Sequence, residues 1–122
     1  LLLPNPDVVY PAGTQRFGFT AGALAHMIEV ALAHRYPKRA DLHFTALGKP
    51  HRPIFEEAVC RAKTHDLVLI GDQLGTDIKG AKDFGIAAVL ATTGLSQWPP
   101  FEGRPAVTPD FILDSLEVNR RD

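Results

Sequence analysis

Hydrophobic and polar positions follow two periods along the chain, and together they predict an alternation of strands and helices. Helical spacing predicts helices over residues 20–36, from about 53 to 63 and from about 77 to 84. Short apolar runs predict strands at residues 1–3, 8–10, 43–47, 67–70, 86–91 and 111–113. Because strand, helix and strand follow one another, the pattern favours a right-handed crossover and a parallel sheet. The predicted fold class is therefore α/β, a parallel sheet flanked by helices.

The same periods predict which side chains are buried. The first helix is expected to bury a stripe made of Leu24, Ile28, Ala31, Leu32 and the stem of Arg35, with Met27 beside it. The second is expected to bury Ile54, Phe55, Ala58, Val59 and Ala62, with Cys60 as a small buried hydrophobe. The strand at 67–70 is expected to be buried. Thr20 and Thr76 are expected to be helix N-caps, and Gly85 is expected to end the third helix.

Composition and charge argue against several classes of function. The 122 residues are 45% hydrophobic and 22% charged, which is ordinary for a globular protein, and their formal net charge is -1. No basic stripe favours nucleic acid or an anionic membrane surface as a partner, and no apolar run has the length of a membrane span. Cys60, as the one cysteine, cannot form an internal disulfide, which favours a cytoplasmic location.

The most informative stretch joins the apolar run at 67–70 to the acidic residues that follow it. Asp72 comes directly after Gly71, and ligands in open α/β sheets bind outside the carboxyl ends of strands. Asp77 follows at the start of the next predicted helix, next to its positive end. Two carboxylates on one loop suit Mg²⁺, which proteins hold by one or two carboxylates together with substrate phosphate. The alternative is a structural strand end followed by an acidic helix cap.

Gly48-Lys49-Pro50 lies between a predicted strand and a predicted helix, so the Lys49 ammonium can project toward the same sheet edge as Asp72. A point cation beside a metal-binding acid forms a site for a phosphoryl group. The segment is not a phosphate-binding P-loop, because the upstream glycine is absent and a proline follows the lysine. The alternative is a solvated lysine at a strand end.

These pieces, in this order, resemble the haloacid dehalogenase (HAD) superfamily of phosphatases, subfamily IIA, which contains p-nitrophenyl phosphatase-like and phosphoglycolate phosphatase-like enzymes. Lys49 matches the family's third motif, and Asp72 with Asp77 matches the fourth. Further matches are the closing strand and turn at 109–112 and 115–116, and the cap-like segments 5–7, 10–11 and 18–23. The resemblance implies part of a cap domain at 1–46 and the C-terminal half of a Rossmann-like core at 47–122.

The resemblance also implies roles for individual residues. Asp72 is expected to bind Mg²⁺ directly, and Asp77 is expected to support that site through water or by holding the loop. Lys49 is expected to contact the phosphate of a small phosphorylated metabolite. Tyr10 falls where related caps place a substrate-facing side chain, although an aromatic packed within the cap fits equally. Asn5 is a candidate for substrate binding, or a turn residue, like Asp7, that caps its own backbone.

One departure from the family changes the expected activity. The first motif of the family, a D-x-D pair that supplies the nucleophile and the general acid/base, is absent from this sequence, and the Ser or Thr of the second motif cannot be placed. Ser96 has no His/Asp arrangement that would make it a hydrolase nucleophile. The chain alone is therefore expected to be inactive, as the C-terminal half of a Mg²⁺-dependent phosphatase that acts through an aspartyl-phosphate.

Two further expectations follow from the missing motif. The chain begins without methionine on a strand-like segment, which looks like a cut end, and half a parallel sheet is expected to self-associate or to pair with the missing N-terminal half. The alternative function is a non-catalytic binding or assembly module that kept the HAD scaffold and lost the nucleophile.

Overall fold

The computed structural model describes residues 1–13, 16–99 and 106–115. Backbone contacts divide the chain into an N-terminal unit, Leu1–Glu57, and a C-terminal unit that begins at Ala58. The predicted division into cap and core at residue 46 is a functional assignment, and it stays a prediction. No helix in the described ranges combines the length and the apolar character that a membrane crossing requires.

The N-terminal unit contains two small pairs of strands and a long helix. Strand β1 (Leu2–Leu3) pairs in parallel with β4 (Thr45–Ala46), and β2 (Val9–Pro11) pairs antiparallel with β3 (Phe17–Phe19). Helix α1 (Ala21–Arg35) follows β3, and Thr20 occupies its N-cap position as predicted. The Thr20 hydroxyl, however, donates to the Asp7 carbonyl and makes no side-chain capping bond. Helix α2 (Arg52–Ala62) begins in this unit and ends in the next.

The C-terminal unit holds the parallel sheet that the sequence predicts. Strands β5 (Val68–Gly71), β6 (Ala87–Ala91) and β7 (Phe111–Leu113) are neighbours in that order, and both pairings are parallel. A π-helical turn (Leu74–Ile78) and helix α3 (Lys79–Phe84) connect β5 to β6. Gly85 ends α3 in the left-handed conformation, with φ of 90°, and confirms the predicted helix end. Parallel pairing brings the carboxyl ends of all three strands to one edge.

The core of the C-terminal unit lies around the central strand β6. Ala88 and Leu90 are fully buried, and both Ile78 from the π-helical turn and Ala81 from α3 are buried too. The turn and the helix both contact β6, so the crossover connection covers this strand. Ala88 and Leu90 alternate with Val89 because successive side chains of a strand point to opposite faces.

The prediction that the strand at 67–70 is buried was wrong for alternate positions. Val68 is 57% exposed and Ile70 is 51% exposed, whereas Leu69 between them is half-buried. Within the described sheet β5 pairs with β6 alone and therefore lies at an edge. A β-branched apolar run cannot by itself distinguish an edge strand from a central one.

The predicted buried stripe of α1 was wrong at most positions. Leu24, Ile28, Ala31, Arg35 and the adjacent Met27 are exposed, Leu32 is half-buried, and the buried residues of the helix are Gly22 and Ala25. A Cβ atom at Gly22 would overlap the carbonyl oxygens of the segment before it, so the helix approaches that backbone through its smallest side chains. Because α1 is apolar on most of its surface, its periodicity did not identify the packed face.

In α2 the packed stripe is narrower than predicted. Phe55 is buried and Val59 is half-buried, which fits two positions four residues apart on one face. The remaining predicted core positions, Ile54, Ala58 and Ala62, are exposed. Cys60 is exposed as well, so its predicted burial was wrong.

Candidate active site

Asp72 lies at the carboxyl end of β5, where the strand turns into the π-helical turn. The Oδ2 atom of Asp77 accepts hydrogen bonds from the backbone N–H of Asp72 and of Gln73, each at 3.1 Å. Asp77 itself is only 1% exposed. A buried carboxylate that accepts two backbone N–H groups holds the loop around it in one conformation. The two predicted acids therefore lie together, and Asp77 fixes the backbone at Asp72.

Gly71 makes this arrangement possible by lacking a side chain. An added Cβ atom at this position would overlap the side chain of Asp77. Gly71 is not among the described residues with a positive φ, so the reason for glycine here is space and not backbone conformation. The last residue of β5 thus leaves room for the acid that closes the loop.

A second loop, which follows β6, contacts the first. The backbone N–H of Leu95 donates to Oδ2 of Asp72 at 2.9 Å, and the N–H of Ser96 donates to the Asp72 carbonyl at 3.0 Å. The hydroxyl of Ser96 accepts the N–H of Leu74 at 2.9 Å. An added Cβ atom at Gly94 would overlap the Asp72 side chain, so the second loop lies directly against it. The parallel pairing of β5 and β6 brings the two loops to the same edge of the sheet.

Sequence reasoning singled out Thr92-Thr93-Gly94 at the start of this second loop but assigned no role in the site to Leu95 or Ser96. Ser96 was considered only as a nucleophile, and in the structure it contributes hydrogen bonds to a neighbouring loop. The available signal was the short Gly94-Leu95-Ser96 segment soon after a predicted strand, because loops at the ends of adjacent parallel strands meet.

The prediction that Thr76 is a helix N-cap was wrong. The helical segment begins earlier, at Leu74, and Gln73 occupies the N-cap position without a side-chain capping bond. The N–H groups of Asp77 and Ile78 both donate to the Gln73 carbonyl, at 3.0 and 3.2 Å. The Thr76 hydroxyl oxygen is buried and has no hydrogen-bond partner within the described residues. Such π-helical turns recur at functional sites, and here the turn carries Asp77.

Lys49 lies in the N-terminal unit, in a turn that the hydrogen bond from His51 N–H to the Gly48 carbonyl closes at 3.0 Å. The Lys49 residue is half-buried, and its peptide bond to Pro50 is cis. A Cβ atom at Gly48 would overlap the Pro4 carbonyl, so the turn packs closely against the segment after β1. Convergence of Lys49 with the acids of the C-terminal unit stays a prediction.

The two other candidates for substrate binding also lie in the N-terminal unit. The Oδ1 atom of Asn5 accepts the N–H of Asp7 at 3.0 Å, which is the turn geometry that the sequence allowed as an alternative. Tyr10 is 50% exposed, and its ring covers Gly18 on the paired strand, where a Cβ atom would overlap it. Neither arrangement tests whether Asn5 or Tyr10 contacts a substrate, so both contacts stay predictions.

The oxygen atoms near Asp72 fit part of a magnesium site. Within the described ranges, no group of three or more His, Cys, Asp or Glu side chains could hold a metal ion. Mg²⁺ does not require such a group, because it keeps several waters and commonly takes one or two carboxylates together with substrate phosphate. Asp72 supplies a carboxylate at the loop edge of the sheet. Asp77 uses Oδ2 for backbone N–H groups, and this fits a role in holding the loop.

Comparison with known proteins supports a family of hydrolases. A sequence model of the HAD-hydrolase-like family matches residues 46–118, more than half of the chain. A D-glycerol 3-phosphate phosphatase from Mycobacterium tuberculosis is 33% identical over 76 residues, which cover 62% of this chain and 22% of that protein.

Two solved structures of phosphatases are similar to this chain in fold. A p-nitrophenyl phosphatase from Archaeoglobus fulgidus matches with a TM-score of 0.66 and 27% identity, over 91% of this chain and 41% of that one. A glycerol phosphate phosphatase from Mycobacterium tuberculosis, solved with magnesium, matches with a TM-score of 0.68 and 25% identity, over 88% of this chain and 30% of that one.

The chain thus spans between about a fifth and two fifths of the length of these relatives. The matching family model, the parallel α/β sheet and the phosphatases among its relatives point to one family. The chain belongs to the haloacid dehalogenase superfamily of hydrolases, subfamily IIA.

Proposed function

We propose that the protein is a Mg²⁺-dependent phosphatase that hydrolyses a small phosphate monoester, and that this chain supplies Lys49, Asp72 and Asp77. The observation that carries the proposal is the fixed position of Asp72 at the carboxyl end of β5, where its backbone N–H donates to Asp77 and its carboxylate accepts the N–H of Leu95. The relatives whose names state an activity are phosphatases, which supports the same class of reaction.

Each of the three residues has a distinct task in this proposal. Asp72 offers a carboxylate oxygen to the cation, and Asp77 keeps the Asp72 backbone in place through its buried carboxylate. Lys49 binds the phosphate and offsets the negative charge that collects there during transfer. Bound Mg²⁺ supplies Lewis-acid polarisation of the phosphoryl oxygens.

The nucleophile is not part of this chain, since its sequence contains no D-x-D pair. In the proposed reaction a carboxylate from the rest of the enzyme attacks phosphorus and the alcohol leaves with a proton. Water then hydrolyses the aspartyl-phosphate, which releases inorganic phosphate and restores the carboxylate. The chain alone is expected to be inactive for this reason.

Residues 1–46 form part of the cap in this proposal, and residues 47–122 belong to the core. Tyr10 is the candidate for recognising the leaving group, because its ring lies on an exposed part of the hairpin formed by β2 and β3. The glycerol phosphate phosphatase of Mycobacterium tuberculosis described above is named for a small phosphorylated metabolite, which makes such metabolites the favoured substrate class.

The test is the substitution Asp72→Asn in the protein expressed from the whole reading frame that encodes this chain. Because outer partners of metal ligands already contribute 10- to 100-fold, loss of a direct ligand should lower Mg²⁺-dependent hydrolysis of p-nitrophenyl phosphate by more than about a hundredfold. Asp66→Asn is the matched control, since Asp66 is exposed and lies before β5. Near-normal turnover by Asp72→Asn, with Asp66→Asn unchanged, refutes the ligand role.

The missing D-x-D pair favours one alternative function, a binding or assembly module without catalysis. This alternative predicts no hydrolysis by any form of the protein. The coding sequence upstream of Leu1 separates the two proposals: a predicted strand followed by D-x-D supports the enzyme, and a coding region that lacks this motif supports the module.

A further inference from the structure

We propose that Ser96 is a positioning residue that, together with the N–H of Leu95, sets which carboxylate oxygen of Asp72 faces the cation. This inference rests on the proposed function and assigns a role to the loop after β6. Its basis is the set of hydrogen bonds that joins this loop to the one after β5.

All the polar groups of the Asp72 backbone have partners, and so does one oxygen of its side chain. Its N–H donates to Asp77, and its carbonyl accepts the N–H of Ser96. Its Oδ2 atom accepts the N–H of Leu95 at 2.9 Å. These bonds fix both the main chain and the rotation of the carboxylate, so that Oδ1 remains the oxygen for a cation.

The hydroxyl of Ser96 adds a cap from a distant part of the sequence. The first N–H groups of a helical segment have no partner within the segment, and Leu74 begins the π-helical turn here. Gln73 occupies the N-cap position but makes no side-chain capping bond, and the hydroxyl of Ser96 accepts the Leu74 N–H instead. Removal of this hydroxyl leaves the Leu74 N–H without that acceptor and loosens the link between the loops.

Gly94 restricts the carboxylate by steric contact. A side chain at Gly94 would overlap Cβ, Cγ and Oδ2 of Asp72, so the glycine backbone lies directly against the acid. The same loop therefore acts on Asp72 in two independent ways, through hydrogen bonds and through steric contact. A variant of each kind can test the inference.

The experiment measures Mn²⁺ binding by the protein expressed from the whole reading frame that encodes this chain, since Mn²⁺ prefers the same oxygen ligands as Mg²⁺. Paramagnetic broadening of backbone amide NMR signals gives both the location and the dissociation constant. Ser96→Ala is expected to weaken Mn²⁺ binding about tenfold, the lower end of the range for an outer partner of a metal ligand. It should also speed hydrogen exchange of the Leu74 amide. Ser96→Thr keeps the hydroxyl and should bind like the wild type.

The outcomes separate this inference from the proposed function. If the wild type shows no broadening around Asp72, the metal site itself is refuted and the inference falls with it. If the wild type broadens there and Ser96→Ala binds Mn²⁺ equally well, the positioning role alone is wrong. Should Ser96→Ala fail to fold, Gly94→Ala provides the second test. It should weaken Mn²⁺ binding while keeping the Leu74 amide protected, and unchanged binding by that variant overturns the inference.

Discussion

At the scale of single residues, the site depends on close contacts between glycine backbone and carboxylate side chains. Gly71 leaves room for Asp77, and Gly94 leaves room for Asp72. Since neither glycine is among the described residues with positive φ, each is required for the space that a Cβ would occupy. A methyl group in either place must displace an acid that is held by hydrogen bonds. The cost is that of overpacking, not of backbone strain.

The substitution Gly71→Ala is therefore expected to destabilise the chain by about 1–3 kcal/mol, the usual range for overpacking a well-packed site. The added methyl overlaps the side chain of Asp77, which is buried and cannot move outward without losing its two backbone hydrogen bonds. Urea unfolding followed by circular dichroism measures the change in free energy.

Gly75→Ala is the matched control for Gly71→Ala. Gly75 lies four residues further along, within the π-helical turn. An added Cβ atom there meets no atom of the described residues within 4 Å, apart from its chain neighbours and its own helix backbone. Alanine is a better helix former than glycine, so this variant should be neutral or slightly more stable. Equal free energies of unfolding for the two variants contradict the steric explanation.

The residue scale also shows where sequence reasoning on the site succeeds and where it ends. Asp72 and Asp77 could be predicted as a pair because one loop of a few residues joins them. The role of Ser96 was not predicted, because its contact with Leu74 depends on two strands lying side by side and not on nearness in the sequence. The role of Lys49 is predicted by motif alone, since the residue lies in a different unit.

At the scale of elements, Asp110 determines how β7 begins alongside β6. Its N–H donates to the Ala88 carbonyl and its Oδ2 accepts the Ala88 N–H, both at 2.9 Å. Its Oδ1 lies 2.5 Å from the ammonium of Lys82 in α3. The hydrogen bond from Lys82, followed by that from the Ala88 backbone, lowers the pKa of the Asp110 carboxyl below its usual value. One acidic side chain thus joins two strands and the helix beside them.

The lowered pKa of Asp110 predicts a pH dependence of stability with a definite sign. A carboxyl whose pKa is lower in the folded chain binds fewer protons when folded than when unfolded. The stabilising contribution of the Asp110 carboxylate is present above its unfolded-state pKa of about 4. It is lost as the pH falls through the folded-state pKa. Asp110→Asn should therefore lower the melting temperature at pH 6 more than at pH 3, as measured by thermal melts at both values.

Asp41→Asn serves as the control for this pH experiment. Arg39 donates a hydrogen bond to Asp41 and lowers the pKa of that carboxyl to about 2. Both side chains are exposed and only two positions apart, so the pair can also form in the unfolded chain. We expect little change in melting temperature at either pH. A pH-independent difference between Asp110→Asn and wild type would contradict the role of the Asp110 charge.

The sequence predicted the bounds of the three strands of the C-terminal sheet most accurately. The strand at 111–113 has the predicted bounds, and β5 and β6 each lie within one residue of theirs. Strand β3 was missed because it is only three residues long and has a glycine at its centre. The buried face of α1 could not be deduced, since contact with a preceding loop, not apolar periodicity, selected it. Periodicity predicts that an element exists, whereas its packed face depends on its neighbours.

At the scale of the whole chain, many large apolar side chains remain exposed. In the N-terminal unit the exposed set includes Phe17, Phe19, Leu24, Met27 and Val30. In the C-terminal unit it includes Val68 and Ile70 on the described edge strand β5. Apolar surface left exposed in this way favours association, which would cover it. An edge strand with unpaired backbone groups favours the same outcome.

We therefore predict that the 122-residue chain alone is not a stable monomer. Sedimentation velocity over a range of concentrations should show association that increases with concentration. Ile70→Lys places a charge on the exposed face of β5 and should shift the population toward monomer, because charged side chains on edge strands oppose pairing. Glu56→Lys changes charge on the exposed surface of α2, outside this strand, and should leave the association unchanged. A chain that stays monomeric and melts cooperatively at every concentration would contradict the prediction. The exposed apolar side chains would then be stable in water without a partner.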